Sequence, residues 1–61
     1  MLKVFWEEKE NGNTYQLVDD SKNECYRFFK NGVEIDWSYY KSYMYMILYD
    51  LIRKDKKAKE C

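Results

Sequence analysis

The first residues of the chain alternate between apolar and polar, which is typical of a half-buried strand. The alternation runs from Leu2 to Lys9. It assigns Leu2, Val4 and Trp6 to one face of the strand. Phe5 falls on the other face, between Lys3 and Glu7.

Three groups of turn-forming residues divide the following segment into further strands. Asn11-Gly12 predicts a two-residue hairpin turn that pairs Trp6 with Leu17 and Phe5 with Val18. A turn centred on Ser21-Lys22 pairs Val18 with Cys25, Leu17 with Tyr26, and Tyr15 with Phe28. Asn31-Gly32 then leads into a short strand from Val33 to Ile35.

The last part of the chain has helical periodicity. Asp36 is placed to cap a helix that runs from Trp37 to Lys54. The predicted fold class is therefore α+β, an antiparallel meander sheet of three to four strands packed against one C-terminal helix. Residues 1–54 form a single domain, and residues 55–61 form a frayed basic tail.

The register and the helical wheel together predict the core. Its sheet members are Leu2, Val4, Trp6, Tyr15, Leu17, Tyr26, Phe28 and Ile35. Its helix members share an arc of roughly 160° and are Trp37, Tyr40, Met44, Ile47, Leu48, Leu51 and Ile52.

Apolar residues remain on the two surfaces that face away from this core. The outer sheet face receives a row made of Phe5, Val18 and Cys25, with Phe29 nearby. The outer helix face receives Tyr39, Tyr43, Met46 and Tyr49. Contiguous apolar surface on both sides of a two-layer domain is typical of interaction sites, so we predict these eight residues as interface residues.

Composition excludes most chemistry. The 61 residues include no histidine and no proline, and 11 acidic residues balance 11 basic ones. Without histidine there is no usual general base, and no spacing of cysteines or carboxylates matches a metal loop. We expect no enzymatic activity, no catalytic residues, no cofactor and no metal.

The two cysteines do not form a disulfide framework, which favours a reducing compartment. Acidic residues interrupt the N-terminus before a signal peptide could form. The helix is too short and too often interrupted to span a membrane. We predict a cytoplasmic location in a bacterial cell, with phage infection as one setting.

The chain resembles the small, compact proteins that phages of low-GC bacteria encode to block host enzymes or defence systems, among them anti-CRISPR proteins and inhibitors of DNA-repair enzymes. The resemblance covers length, usage rich in Lys, Tyr, Asn and Asp, and the sheet-then-helix plan around Phe29-Lys30-Asn31-Gly32-Val33-Glu34-Ile35-Asp36. No specific motif is shared, so no residue role follows. The resemblance implies a protein that occupies a surface of a larger target, in some cases as a dimer, without chemistry of its own.

The leading hypothesis is a non-enzymatic binding protein, a homodimer, that inhibits or regulates a larger host protein. A variant of it is an acidic surface that mimics DNA, supplied by Glu7, Glu8, Asp19, Asp20 and Glu24. One alternative is a nucleic-acid-binding accessory protein that uses the exposed tyrosines and the lysines at 54, 56, 57 and 59. Another is a structural subunit of an open-ended assembly.

Overall fold

The computed structural model describes the backbone of residues 2–60 and the side chains of residues 2–54. Its four strands are β1 (Leu2–Glu10), β2 (Asn13–Asp20), β3 (Cys25–Lys30) and β4 (Val33–Ser38), followed by the helix α1 (Lys41–Glu60). The strands form one antiparallel sheet in the order β1-β2-β3-β4. The predicted α+β meander is confirmed, with the fourth strand present.

Both Asn-Gly pairs form the predicted two-residue turns. Glu10 pairs with Asn13 across the first turn, and Lys30 pairs with Val33 across the other. The φ angles are 54° and 81° at Asn11-Gly12 and 52° and 83° at Asn31-Gly32. Positive φ at both central residues is the type I′ geometry, which asparagine and glycine adopt with the least strain.

The middle turn differs from the prediction by two residues. Asp20, rather than Val18, pairs with Cys25, so the loop between β2 and β3 covers residues 21–24. The Asp20 carboxylate stabilises this wider loop, since it accepts hydrogen bonds from the Asn23 backbone N–H at 3.2 Å and from Asn23 Nδ2 at 2.8 Å. A shift of two residues leaves every side chain on its predicted face.

A β-bulge in β1 reverses the predicted faces at its N-terminal end. Val4 pairs with Val18 and Trp6 pairs with Leu17, so Phe5 is an extra residue between the two pairs. The bulge directs Phe5 toward the helix, where its ring contacts Tyr26 and Tyr45 at centroid distances of 5.7 and 6.2 Å. The predicted pairing of Phe5 with Val18 is wrong, because the bulge changes the alternation by one residue.

Strand β4 continues further than predicted, and α1 starts later. Trp37 and Ser38 belong to the strand, opposite Arg27 and Tyr26, and the helix begins at Lys41. Asp36 therefore does not cap the helix; its carboxylate accepts hydrogen bonds from the Trp37 N–H at 2.7 Å and from the Tyr43 hydroxyl at 3.2 Å. The helix extends to Glu60, beyond the predicted end at residue 54, and the division into a domain and a tail stays a prediction.

The core lies between the sheet and α1. Its fully buried members are Tyr15, Leu17, Phe28, Met44 and Leu48, and the partly buried residues against them are Phe5, Tyr26, Tyr45, Ile47, Leu51 and Ile52. Most of the predicted core is confirmed. The predicted core residues that are exposed instead are Leu2, Val4, Trp6, Ile35, Trp37 and Tyr40.

Three local features explain five of these six residues, all except Trp6, which lies on the helix side opposite Leu17. The β1 bulge moves Leu2 and Val4 to the far side of the sheet. Trp37 and Tyr40 precede the helix, so the helical wheel does not apply to them. A second bulge, where Phe28 pairs with Asp36 and Phe29 with Glu34, leaves Ile35 unpaired in the β3–β4 register.

Candidate interaction surfaces

The predicted apolar row on the outer sheet face is not assembled as expected. Phe5 packs on the helix side of the sheet, so its placement in this row was wrong. Val18 and Cys25 lie on the outer face but are only 4% and 5% exposed, and Phe29 is half-buried. None of the four residues predicted as this interface is exposed.

A different set of residues forms the exposed part of this face. Pairing places Val4, Val18, Arg27 and Trp37 in one row that crosses all four strands. The next row places Leu2, Asp20 and Cys25 side by side. We call Leu2, Val4, Val18, Cys25, Arg27 and Trp37 the outer sheet surface. Val4 is 47% exposed and Trp37 is 48% exposed, so the two ends of the first row are open to solvent, whereas Val18 in its middle is buried.

Sequence reasoning missed Leu2, Val4, Arg27 and Trp37 as surface residues. The alternation of Val33, Ile35 and Trp37 is a strand pattern, and it could have extended β4 to include Trp37. Nothing in the sequence marks the β1 bulge, because no glycine stands at the bulged position.

An ion-pair network occupies the centre of the outer sheet surface. Arg27 Nε donates to Asp20 Oδ2 at 2.9 Å, and Arg27 Nη1 donates to both carboxylate oxygens of Glu34, at 2.9 and 3.2 Å. Hydrogen bonds from the Asn23 side chain and from Arg27 lower the pKa of Asp20 from 3.8 to about 2. Asp20 is buried, so these bonds replace the water that its carboxylate loses.

The predicted helix face is exposed as expected. Tyr39 lies just before α1, and Tyr43, Met46 and Tyr49 follow on the helix at intervals of three residues. We call these four residues the helix surface. The Asp36 carboxylate raises the pKa of the Tyr43 phenol, since the hydroxyl donates a hydrogen bond to it.

The two surfaces meet where β4 leads into α1. The rings of Trp37 and Tyr39 are in edge-to-face contact, with centroids 5.1 Å apart and an interplanar angle of 86°. Edge-to-face pairs are a favoured aromatic geometry and fix the orientation of both rings. Exposed aromatic surface therefore continues from the sheet to the helix.

Charge is distributed unevenly over these surfaces. Two lysines are held on the helix side of the sheet, where Lys30 Nζ lies 5.7 Å from the Tyr15 ring centroid and Lys41 Nζ lies 4.8 Å from that of Phe5. On the helix, Arg53 and Lys54 pair with Asp50 at 3.6 and 3.3 Å. The lysines at 56, 57 and 59, which the nucleic-acid hypothesis uses, lie outside the described side chains.

The acidic residues proposed to mimic DNA do not share one surface. Glu7 and Asp20 belong to the outer face of the sheet, whereas Glu8 and Asp19 pair with Tyr15 and Tyr26 on the helix side. Glu24 lies in the loop between β2 and β3. The DNA-mimic variant therefore has no contiguous acidic patch to rest on.

Within the described residues there is no group of three or more His, Cys, Asp or Glu side chains that could hold a metal ion. No described helix is both long enough and apolar enough to cross a membrane. Comparison with protein-family models, curated proteins and solved structures finds no match.

Proposed function

We propose that the protein is a small binding protein, without enzymatic activity, that inhibits or regulates a larger host protein in the bacterial cytoplasm. One of its two exposed surfaces contacts the target, and the other joins a second copy. An anti-defence role during phage infection fits the resemblance noted above. The resemblance suggests where the protein acts, but it assigns no role to any residue.

The observation that carries the proposal is the ratio of exposed to buried apolar side chains. Eleven large hydrophobic residues are exposed among the described residues, compared with seven hydrophobic residues that are buried. Single exposed apolar residues are normal, but a contiguous aromatic surface of this kind is typical of protein contacts. Tyrosine, tryptophan and methionine are the residues that protein interfaces favour.

A pull-down with one variant for each surface tests the proposal. The tagged wild-type protein is incubated with lysate of its native host beside Trp37→Ala on the outer sheet surface and Tyr49→Ala on the helix surface. Val33→Ala is the matched control, since Val33 is an exposed apolar residue outside both surfaces. Circular dichroism confirms that all three variants are folded.

We expect one host protein, in stoichiometric amount, that Val33→Ala retains and that one surface variant loses. Its activity is then measured with and without the protein. Recovery of the same set of proteins by all variants contradicts the proposal. Nucleic acid that is released as salt rises would support the nucleic-acid alternative, because phosphate contacts release counterions.

The second copy is tested by light scattering coupled to size-exclusion chromatography. Phe5 packs against the core and Val18 is buried, so the charge is introduced at an exposed residue of each surface instead. The two variants are Val4→Glu on the outer sheet surface and Tyr49→Glu on the helix surface. A closed dimer is expected for the wild type and a monomer for one variant, whereas open-ended oligomers would indicate a structural assembly subunit.

A further inference from the structure

We propose that the outer sheet surface is the one that binds the target, and that it recognises a segment combining apolar side chains with lysine or arginine. This inference rests on the proposed function and adds the chemistry of the partner. The helix surface then remains for the second copy.

The row that crosses the four strands carries the exposed apolar side chains of this face. Val4 and Trp37 are exposed on the two edge strands, and Val18 lies buried between them. One face of an antiparallel sheet normally packs on the core while the other carries polar residues toward water. Here the second face offers exposed apolar side chains at both edges, so a partner with apolar residues gains contact at the two ends of the row.

The charge on this face favours a basic partner. Arg27 is already bonded to two carboxylates, Asp20 and Glu34, so the network carries one net negative charge. Glu7, in the row that contains Glu34, adds another carboxylate, which accepts a hydrogen bond from the uncharged Gln16 side chain. Lys9, opposite Thr14 in the next row of this face, offsets one of these charges. Lys30 and Lys41 are held over aromatic rings on the helix side, so the outer face keeps one net negative charge.

The same charge disfavours the other candidate occupants. A second copy seated on this face would bring its own negative network against the first, and like charges across an interface are unfavourable. Nucleic acid would bring phosphates to the same carboxylates. Within the ion-pair network, Glu34 is the carboxylate that a cation can reach, because its side chain is 36% exposed whereas that of Asp20 is 5% exposed.

Selection from a library of random linear peptides on the immobilised full-length protein tests the partner chemistry. Enriched peptides are synthesised, and their affinities are measured for the wild type, Trp37→Ala and Glu34→Gln. Glu24→Gln is the matched control, because Glu24 is an exposed carboxylate in the loop between β2 and β3. Circular dichroism checks that Glu34→Gln has the secondary structure of the wild type.

We expect enriched peptides with apolar residues and a net positive charge. Trp37→Ala is expected to lower their affinity about tenfold, because tryptophan is among the residues whose truncation costs a protein contact most. Glu34→Gln is expected to lower it about threefold, as for one exposed charge pair, and this difference should shrink at high salt. Glu24→Gln should leave the affinity unchanged.

Several results would overturn the inference. These are the absence of enriched peptides, peptides that are acidic or uncharged, and equal binding to the wild type and Trp37→Ala. Conversion of a dimer to a monomer by Val4→Glu would do the same, since it would assign this face to a second copy. A host protein that binds through Tyr49 would leave the proposed function standing while removing this inference.

Discussion

At the scale of single residues, Asp20 connects the loop between β2 and β3 to the outer face of the sheet. Its carboxylate accepts bonds from Asn23 and from Arg27, and so it fixes the loop between β2 and β3 and orients the guanidinium on the outer face. A buried carboxylate is tolerated only with such partners. The two-residue difference between the predicted and observed register follows from these bonds.

We expect the Asp20 carboxylate to contribute stability at neutral pH that is lost in acid. Its pKa is lowered from 3.8 to about 2, so the unfolded chain binds a proton first as the pH falls. The contribution is complete at pH values above the pKa of Asp20 in the unfolded chain, and it disappears as the pH falls from about 4 toward 2. Thermal unfolding followed by circular dichroism across this pH range should show a steep decrease in the wild type.

The Asp20→Asn variant should be less stable than the wild type at pH 7 and should change less across the acid range. Asp50→Asn is the matched control, because Asp50 pairs with Arg53 and Lys54 on the exposed face of the helix. Asp50→Asn should lower the unfolding temperature at pH 7 less than Asp20→Asn does. A parallel acid response in the wild type and Asp20→Asn would contradict this account.

At the scale of elements, Asn31 connects the two hairpins. Its backbone N–H donates to the Thr14 carbonyl at 2.8 Å, and its side-chain oxygen accepts from the Thr14 N–H at 2.9 Å. Its Nδ2 donates to Asn13 Oδ1 at 3.1 Å. The turn between β3 and β4 thereby holds the start of β2.

Asn31→Ala should destabilise the protein more than Asn11→Ala. Both residues have positive φ, so both variants lose the same turn preference. Only Asn31 has described side-chain bonds to a neighbouring strand, and their loss should add about 1–2 kcal/mol to the decrease in unfolding free energy. Urea unfolding of the two variants measures the difference, and equal midpoints would show that the bridge contributes nothing.

The elements also show which parts of the fold were predictable. The Asn-Gly turns were correct because asparagine and glycine are the residues that tolerate their φ angles. Met44 and Leu48 were correctly placed in the core because helical periodicity applies within α1. Phe5 was misplaced, because a bulge depends on how the finished sheet packs against the helix and not on a local preference.

The candidate surfaces were predictable to different degrees for the same reason. Helical periodicity correctly predicted that Tyr43, Met46 and Tyr49 are exposed on the helix, whereas Tyr39 is exposed but precedes α1. The outer sheet surface was not, since its members depend on two bulges and on the extension of β4 to Trp37. Each of these shifts moves a side chain to the opposite face or from one element to another.

At the scale of the whole molecule, the core is thin. Among the residues whose side chains are described, five are fully buried between one sheet and one helix. A single core of this size supplies a net stability of about 3–5 kcal/mol. The free energy lost when one large cavity is created is therefore comparable with the net stability of the whole fold.

We expect Leu48→Ala to remove most of the net stability, so that part of the molecules is unfolded at 37 °C. Loss of a fully buried leucine costs about 3 kcal/mol through lost contacts and the remaining cavity. Val33→Ala is the control, because Val33 is 63% exposed and lies outside both surfaces, and it should change stability by less than about 1 kcal/mol. Far-ultraviolet circular dichroism at 37 °C compares the two, and a fully folded Leu48→Ala would mean that stability comes from elsewhere, such as a second copy.

The meander order has a consequence for how the chain is made. Each strand pairs with its neighbour in sequence across connections of two or four residues, so the hairpins can form within microseconds as the strands leave the ribosome. The helix that covers Tyr15, Leu17 and Phe28 comes last, and its 20 residues take about 1–4 s to synthesise. Until α1 has been made, no helix covers the inner face of the sheet, so the fold is completed only when α1 follows the strands.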